Sequence, residues 1–242
     1  MLSKNEVKVI QSLCHKKQRQ QEGLFIAEGV KLVEEIIQSD YRVKKIFATE
    51  KWQSESNPKN LITTVVSDDE LARISSLQTP NQVLAIVHQP TSTELPQISR
   101  NLTLVLDGIQ DPGNLGTIIR ISDWFGINQI ICSHQTVELY NPKVIQATMG
   151  SFLRVKVFYA ELKSVLENAN VPIFGALLNG QTVYGISKPE EGIILIGNEG
   201  QGINKELLPL ITNPITIPKI GGAESLNAAV ATGIILSHLC KV

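Results

Sequence analysis

The chain has 242 residues, 43% of them hydrophobic and 19% charged, which suits one large globular domain or two smaller ones. This composition excludes a wholly disordered chain, a collagen-like repeat and a small disulfide scaffold. The formal net charge of −1 gives no overall attraction to polyanions. The three cysteines form no CxxC pair of a zinc or redox site, and no apolar run reaches the length of a membrane span. We therefore expect a cytoplasmic protein without a metal ion or a membrane partner.

A polar stretch divides the chain into two blocks. Residues 89–99 read QPTSTELPQIS, with two prolines and almost no apolar periodicity, and this composition is typical of a linker. We predict a first domain over residues 1–90, a linker over residues 91–99 and a second domain over residues 100–242.

The first block has the pattern of a small α/β domain. Ser3 followed by Glu6, and Ser67 followed by Glu70, are capping boxes that predict two helix starts. The other predicted elements of this block are strands over residues 24–27, 43–48, 62–66 and 81–87 and a helix over residues 29–38.

The second block alternates strands and helices more regularly. Its predicted strands are the apolar runs LTLVLDG, NQIIC, VPIFGALL, GIILIG and ITIP, and its predicted helices cover residues 114–124, a turn led by Pro142, and residues 160–168, 204–210 and 225–240. Continuous apolar strands that alternate with helices predict an α/β fold, with a mostly parallel sheet covered by helices on both faces. Ligands of such sheets bind in the loops at the carboxyl ends of the strands.

Three loops that follow predicted strands combine glycines with polar side chains. The first, DGIQDPGNLG over residues 107–116, leads into a helix that Asn114 is expected to cap and that carries Arg120. The second is GNEGQG over residues 197–202. In the third, residues 217–231, Ser225 is expected to cap the last helix, with Asn227 in its first turn. Neither the GxGxxG of a dinucleotide site nor the GK[ST] of a P-loop is present.

Taken together and in this order, the three loops resemble the three motifs of the SpoU/TrmH family of RNA ribose 2′-O-methyltransferases, in the SPOUT superfamily. The matching residues are Asn114-Leu115-Gly116 with Arg120, then Gly197-Asn198-Glu199-Gly200, then Ile217-Pro218 with Ser225-Leu226-Asn227. The resemblance covers residues 100–242. It extends more weakly to residues 1–90, where FIAEG at 25–29 and the segment 78–85 look like the family's L30e-like substrate-binding domain. Ile220 and Ala228-Ala229 depart from the family pattern, and we expect altered packing around the cofactor there, not lost activity.

The resemblance implies a methyltransferase that uses S-adenosylmethionine and modifies a ribose 2′-hydroxyl in structured RNA. Ribosomal RNA of the large subunit is favoured over transfer RNA, and DNA is not an expected partner. The resemblance also implies a homodimer and a deep trefoil knot in the C-terminal chain. It assigns cofactor contact to Gly197, Ile217 and Leu226. The catalytic residues that it implies are Asn114, Arg120, Glu199, Ser225 and Asn227.

The family mechanism gives the residue at Arg120 the role of the base that removes the hydroxyl proton. A guanidinium group has a pKa above 12, whereas a general base needs a pKa near the working pH. Two roles remain open: a base with a strongly depressed pKa, or a permanent cation that stabilises the forming alkoxide. The second needs the smaller perturbation and is favoured. Glu199 is expected to pair with Arg120 and to hold it in place.

Recognition of the RNA is expected to fall to the first block. The candidate phosphate contacts are Lys16, Lys17, Arg19, Lys44 and Lys45, and their contribution to affinity should fall with added salt. From charge alone, a solvated helix face explains the basic N-terminal stretch as well.

Two alternative functions differ from this one in features that can be checked. A catalytically inactive RNA-binding or ribosome-assembly protein on the same fold would differ from the enzyme in failing to bind S-adenosylmethionine. A nucleotide-cofactor oxidoreductase would need a glycine fingerprint and an acidic ribose partner, both of which are missing at the expected spacing.

Overall fold

The computed structural model describes residues 2–56, 61–91 and 95–240. Its helices are α1 (Lys4–Ser12), α2 (Lys16–Glu22), α3 (Val30–Gln38), α4 (Glu50–Ser56), α5 (Asp68–Ile74), α6 (Pro112–Trp124), α7 (Pro142–Thr148), α8 (Leu162–Glu167) and α9 (Ala228–Leu239). Its strands are β1 (Leu24–Glu28), β2 (Val43–Ala48), β3 (Thr63–Val65), β4 (Val83–His88), β5 (Leu102–Leu106), β6 (Gln129–Cys132), β7 (Lys156–Tyr159), β8 (Ile173–Thr182), β9 (Gly192–Ile196) and β10 (Asn213–Thr216). Residues 92–94 of the predicted linker lie outside the described residues.

The chain forms two compact units, and the first comprises Met1–Thr93 and Tyr140–Leu153. Its sheet has the strand order β1-β4-β2-β3, with β4 antiparallel to both β1 and β2, and β3 parallel to β2. Both predicted capping boxes are confirmed. The hydroxyl of Ser3 accepts a hydrogen bond from the N–H of Glu6, and the hydroxyl of Ser67 accepts one from the N–H of Glu70, each at 3.2 Å.

The segment from Tyr140 to Leu153 packs with the first unit, whereas the sequence placed it in the second block. The ring of Phe25 on β1 lies 4.7 Å from that of Tyr140 and 6.0 Å from that of Phe152, between centroids. Tyr41 adds a further edge-to-face contact with Phe152 at 5.5 Å. Aromatic side chains bury large apolar areas, so this cluster holds a segment that is distant in sequence.

The second unit, Glu94–Leu139 and Arg154–Val242, contains a six-stranded sheet in the order β10-β8-β9-β5-β6-β7. Every neighbouring pair of strands is parallel, which confirms the predicted α/β fold with a parallel sheet. All residues of the inner strands β6 and β9 are buried, as expected for the apolar residues that make up most of both strands. Because β5 and β9 are parallel neighbours, the loops that follow them leave the same edge of the sheet.

Some local predictions differ from the structure. The helix predicted over residues 204–210 is wrong, because that segment forms turns and a short 3-10 turn at Leu208–Leu210. Pro209 lacks the N–H that a continuous helix would use. Three short elements, α2, α4 and β7, were not predicted from the sequence and have only four to seven residues each. In the part of the chain that the structure describes, no helix has the length and apolar character needed to cross a membrane.

Candidate active site

The loop after β5 leads into α6, and Asp111 caps this helix. Its carboxylate oxygen accepts a hydrogen bond from the N–H of Asn114 at 2.8 Å. Pro112 follows at the first helical position, where a missing N–H has little cost. The prediction that Asn114 caps α6 was therefore wrong, and its side chain is available for tertiary contacts. The Asp-Pro pair was the sequence signal for the correct cap.

The loop after β10 leads into α9, and Asn227 caps this helix. Its side-chain oxygen accepts hydrogen bonds from the N–H groups of Ala229 and Val230 at 3.0 and 3.2 Å. The prediction that Ser225 is the cap was wrong, because Asn is at least as good a cap as Ser and lies nearer the helix. Ser225 instead donates a hydrogen bond to the backbone carbonyl of Glu199 at 3.4 Å.

A chain of hydrogen bonds joins the three loops at the carboxyl edge of the sheet. The side-chain nitrogen of Asn227 donates to the side-chain oxygen of Asn114 at 2.8 Å. The side-chain nitrogen of Asn114 in turn donates to Oε1 of the Glu199 carboxylate. Since the α9 amides hold the oxygen of Asn227, its NH₂ group must point to Asn114, and this fixes which atom Asn114 offers to Glu199.

Two residues that we did not single out as site residues hold the loops after β5 and β9 together. Asn198 donates to the carbonyl of Gly108 at 2.8 Å and accepts from the N–H of Gly200 at 2.9 Å. Asp107 accepts from the N–H of Asn204 at 2.7 Å. Gly108 has a φ of 70°, a conformation that favours glycine. The sequence signal was a polar side chain within two residues of the end of each strand.

The residues assigned to cofactor contact border the same loops. A Cβ atom at Gly197 would collide with the backbone of Gly202 and Ile203, so the turn itself requires this glycine. Ile217 is half-buried, and Leu226 keeps 45% of its surface exposed. The structure thus leaves apolar side chains uncovered beside the polar network.

Arg120 stands apart from this network. It lies six residues after Asn114 on α6, which amounts to about 9 Å along the helix axis and about 120° around it. Its side chain is exposed and makes no ion pair or hydrogen bond with any residue within 2–56, 61–91 and 95–240. Within one chain Glu199 does not pair with Arg120, because Asn114 is the partner of its Oε1.

The five predicted phosphate contacts divide into two groups. Arg19 is only 1% exposed and donates to the carbonyl of Leu13 at 2.8 Å, so its assignment as a phosphate contact was wrong. Lys45 forms an ion pair with Glu6 at 2.8 Å, and this hydrogen bond helps to lower the pKa of Glu6 to about 2. The assignment of Lys45 as a phosphate contact was therefore also wrong, since Glu6 already compensates its charge. The remaining three, Lys16, Lys17 and Lys44, are exposed.

Comparison with protein families divides the chain in the same order as the sequence analysis. Residues 101–237 match the SpoU rRNA Methylase family, and residues 4–85 match the MRM3-like substrate binding domain.

Two relatives cover almost the whole chain. It is 33% identical to the 23S rRNA (guanosine(2553)-2′-O)-methyltransferase RlmP of Bacillus subtilis (strain 168), over 98% of this chain and 97% of that protein. It is 26% identical to the 23S rRNA (uridine(2479)-2′-O)-methyltransferase of Streptomyces viridochromogenes, over 93% of this chain and 85% of that protein.

The fold is also similar to that of a solved structure, an AdoMet-bound rRNA methyltransferase from Sinorhizobium meliloti. The TM-score is 0.86 and the sequence identity 30%, over 99% of this chain and 95% of that chain.

Proposed function

We propose that this chain, which belongs to the SpoU rRNA methylase family, transfers a methyl group from S-adenosylmethionine to a ribose 2′-hydroxyl of ribosomal RNA. The family model matches residues 101–237 and confirms the resemblance seen in the three loops. The observation that carries the proposal is the hydrogen-bonded chain of Asn227, Asn114 and Glu199. This chain joins polar residues of all three motifs at the carboxyl edge of a parallel sheet, where such folds bind their ligands.

The loops fit S-adenosylmethionine. A purine ring needs apolar cover and backbone groups that match its donors and acceptors. The loop before α9 offers Leu226, 45% exposed, and a glycine pair, Gly221-Gly222, at which a Cβ atom would meet nothing within 4 Å. We assign the binding of the cofactor to Gly197, Ile217 and Leu226. When bound, the cofactor supplies an electrophilic methyl group on a sulfonium sulfur.

The chain's own residues position the nucleophile and stabilise its charge. In the transfer the ribose 2′-oxygen would gain the methyl group, neutral S-adenosylhomocysteine would leave, and the hydroxyl proton would pass to water, because Arg120 as a permanent cation cannot accept it. Arg120, as a permanent cation, stabilises the negative charge that develops on this oxygen. Asn114, Glu199, Ser225 and Asn227 orient the ribose or the adjacent phosphate. Oε2 of Glu199 accepts no hydrogen bond from a described residue and is open to such a contact.

A homodimer explains the position of Arg120. Within one chain its exposed side chain forms no ion pair or hydrogen bond with Glu199 or with any other described residue. Two large apolar residues on the packed helices α6 and α9, Trp124 and Val230, are 84% and 52% exposed. Exposed apolar groups on neighbouring helices are typical of a protein interface. We place α6 and α9 at the two-fold interface, where Arg120 of each chain reaches the site of the other.

Three further parts of the proposal extend the resemblance. Ser225 and Asn227 bring the chain after β10 back onto the loops that follow β9 and β5, and this return supports a knotted C-terminal chain. The match of residues 4–85 to a substrate binding domain supports an L30e-like first domain that contacts RNA. Lys16, Lys17 and Lys44 are its exposed candidates for phosphate contact.

The ribosomal RNA of the large subunit is the proposed substrate because the relatives at 33% and 26% identity are named as 23S rRNA methyltransferases. Their names give different nucleotides, guanosine and uridine, so the identity of the base varies within the family.

The test maps 2′-O-methylated nucleotides in RNA from cells with and without this protein. We expect one ribose of large-subunit ribosomal RNA to lose its methyl group in the absence of the protein. An unchanged map, together with intact RNA binding by the purified protein, would favour the catalytically inactive alternative.

A further inference from the structure

Three basic side chains gather at one end of the sheet in the first unit. The N–H of His88, at the end of β4, donates to the carbonyl of Arg42, just before β2, at 2.9 Å. Arg42 and Lys44 both act electrostatically on the His88 ring, which places their charges close to it. We call Arg42, Lys44 and His88 the strand-end patch.

An irregularity in β2 exposes one member of this patch. Val43 pairs with Val87 of β4, whereas Lys45 pairs with the next residue, Ile86, so Lys44 is an extra residue without a partner of its own. Such a bulge redirects a side chain and recurs next to functional sites. The two neighbouring lysines differ in their surroundings: Lys45 is held by Glu6, whereas Lys44 is exposed.

The charges of the patch are not compensated by the protein. Neither Arg42 nor Lys44 forms an ion pair or a side-chain hydrogen bond with a residue that the structure describes, although Asp40 is only two residues from Arg42. Partial burial of the His88 ring lowers its pKa, and the charges of Arg42 and Lys44 lower it further. Like charges held close together cost free energy that a bound anion would offset.

We propose that the strand-end patch binds the phosphate backbone of the substrate RNA. The proposal rests on the proposed function for the identity of the RNA, and its site lies wholly within the unit that matches a substrate binding domain. Arg42 supplies a planar group that can bind a phosphate through two N–H donors, and Lys44 supplies a point charge. His88 adds a third charge when a phosphate favours its protonated form.

The test compares the affinity of the full-length protein for 23S rRNA transcribed in vitro. Replacing both cations (Arg42→Ala with Lys44→Ala) should weaken binding at least tenfold at about 0.1 M salt. It should also reduce the salt dependence of log Kd by about one per cation removed. The matched control is Lys51→Ala, which removes an exposed charge from α4, beyond the other end of β2. If the double variant bound the RNA no more weakly than this control, the proposal that the strand-end patch binds RNA would be overturned.

The pH profile gives a second readout, because His88 is the titrating member. The charged groups that act on its ring are Arg42, just before β2, and Lys44 of β2, and the residue opposite it on β1 is the apolar Leu24. A bound phosphate raises the pKa of His88, so wild-type affinity should increase as the pH falls from about 8 to about 5.5. His88→Gln should flatten this increase, and an unchanged pH profile in His88→Gln would contradict the role of His88.

Methyl transfer measured in parallel separates this proposal from the proposed function. Loss of the patch should raise the KM for RNA, with kcat and the affinity for S-adenosylmethionine unchanged. If the wild-type protein bound the RNA through the patch but transferred no methyl group, the proposed function would fail and the patch would stand. If methyl transfer were normal in the double variant at every RNA concentration, the patch would fail and the function would stand.

Discussion

Asn114 occupies the centre of the active-site network, and the resemblance had implied a catalytic role for it beside the helix cap expected from the sequence. It accepts a hydrogen bond from Asn227 and donates one to Glu199, so it connects the end of α9 to the carboxylate. Asp111 carries out the capping instead. A side chain of one residue thereby links two motifs that lie far apart in the sequence.

Replacing Asn114 with Ala should lower kcat by about a hundredfold, because a misplaced reacting group costs a factor of this size. The affinity for S-adenosylmethionine should change little, since the cofactor-binding residues are elsewhere. Single-turnover methyl transfer and calorimetric binding of the cofactor measure the two effects. As a control, Asn101→Ala removes a half-buried amide whose one hydrogen bond to a described residue goes to the carbonyl of Ser99, and it should keep the wild-type rate.

Arg120→Lys tests the planar, multi-donor group while the positive charge is kept. We expect kcat to fall by at least tenfold, because an ammonium group cannot reproduce the geometry of a guanidinium group. The measurement is the rate of methyl transfer at saturating RNA and cofactor. A wild-type rate in this variant would remove Arg120 from the mechanism.

At the scale of single elements, the ends of α6 and α9 decide where the catalytic side chains point. Asp111 and Asn227 each satisfy N–H groups of the first helical turn. Ser225 satisfies none of them and bonds a carbonyl instead.

This difference predicts unequal losses of stability when Asp111 and Ser225 are each replaced by Ala. Asp111→Ala should lower the free energy of unfolding by about 1 kcal/mol, the usual cost of a lost cap. Ser225→Ala should change it by less than about 0.5 kcal/mol. Urea denaturation of the two variants measures both values. Equal losses would show that Ser225 contributes to the helix end as the sequence analysis first supposed.

Some features of single elements could be predicted from the sequence, and others could not. The strand β2 was predicted with its observed bounds, and both capping boxes were found, because local patterns determine these features. The cap of α9 was assigned to Ser225 because Ser225 and Asn227 are both good caps and only the course of the loop selects one. The burial of Arg19 depends on contacts with its surroundings, which its position in a basic stretch does not reveal.

At the scale of the whole molecule, the three motifs follow one another over more than a hundred residues, and the topology brings them together. The parallel pairing of β5 with β9 accounts for two of the loops, and the return of the chain to α9 accounts for the third. Periodicity predicted the parallel sheet but neither this strand order nor the packing of Tyr140–Leu153 with the first unit. Those features arise from contacts between distant residues.

A homodimer with Arg120 acting across the interface predicts complementation. Neither Asn114→Ala nor Arg120→Ala should be active alone. After the two variants are mixed and allowed to exchange subunits, half of the dimers are mixed and carry one intact site, so about a quarter of the wild-type activity should return. Activity no higher than that of the separate variants would place Arg120 in its own chain's site.

The most direct test of the whole account follows the methyl group itself. Purified protein is incubated with S-adenosylmethionine labelled on the methyl group and with 23S rRNA transcribed in vitro, and the RNA is then digested to nucleosides. We predict label in a single 2′-O-methylated nucleoside, formed by the wild-type protein and strongly reduced in Asn114→Ala. Label on a base, or no transfer by a protein that binds both S-adenosylmethionine and the RNA, would contradict the account.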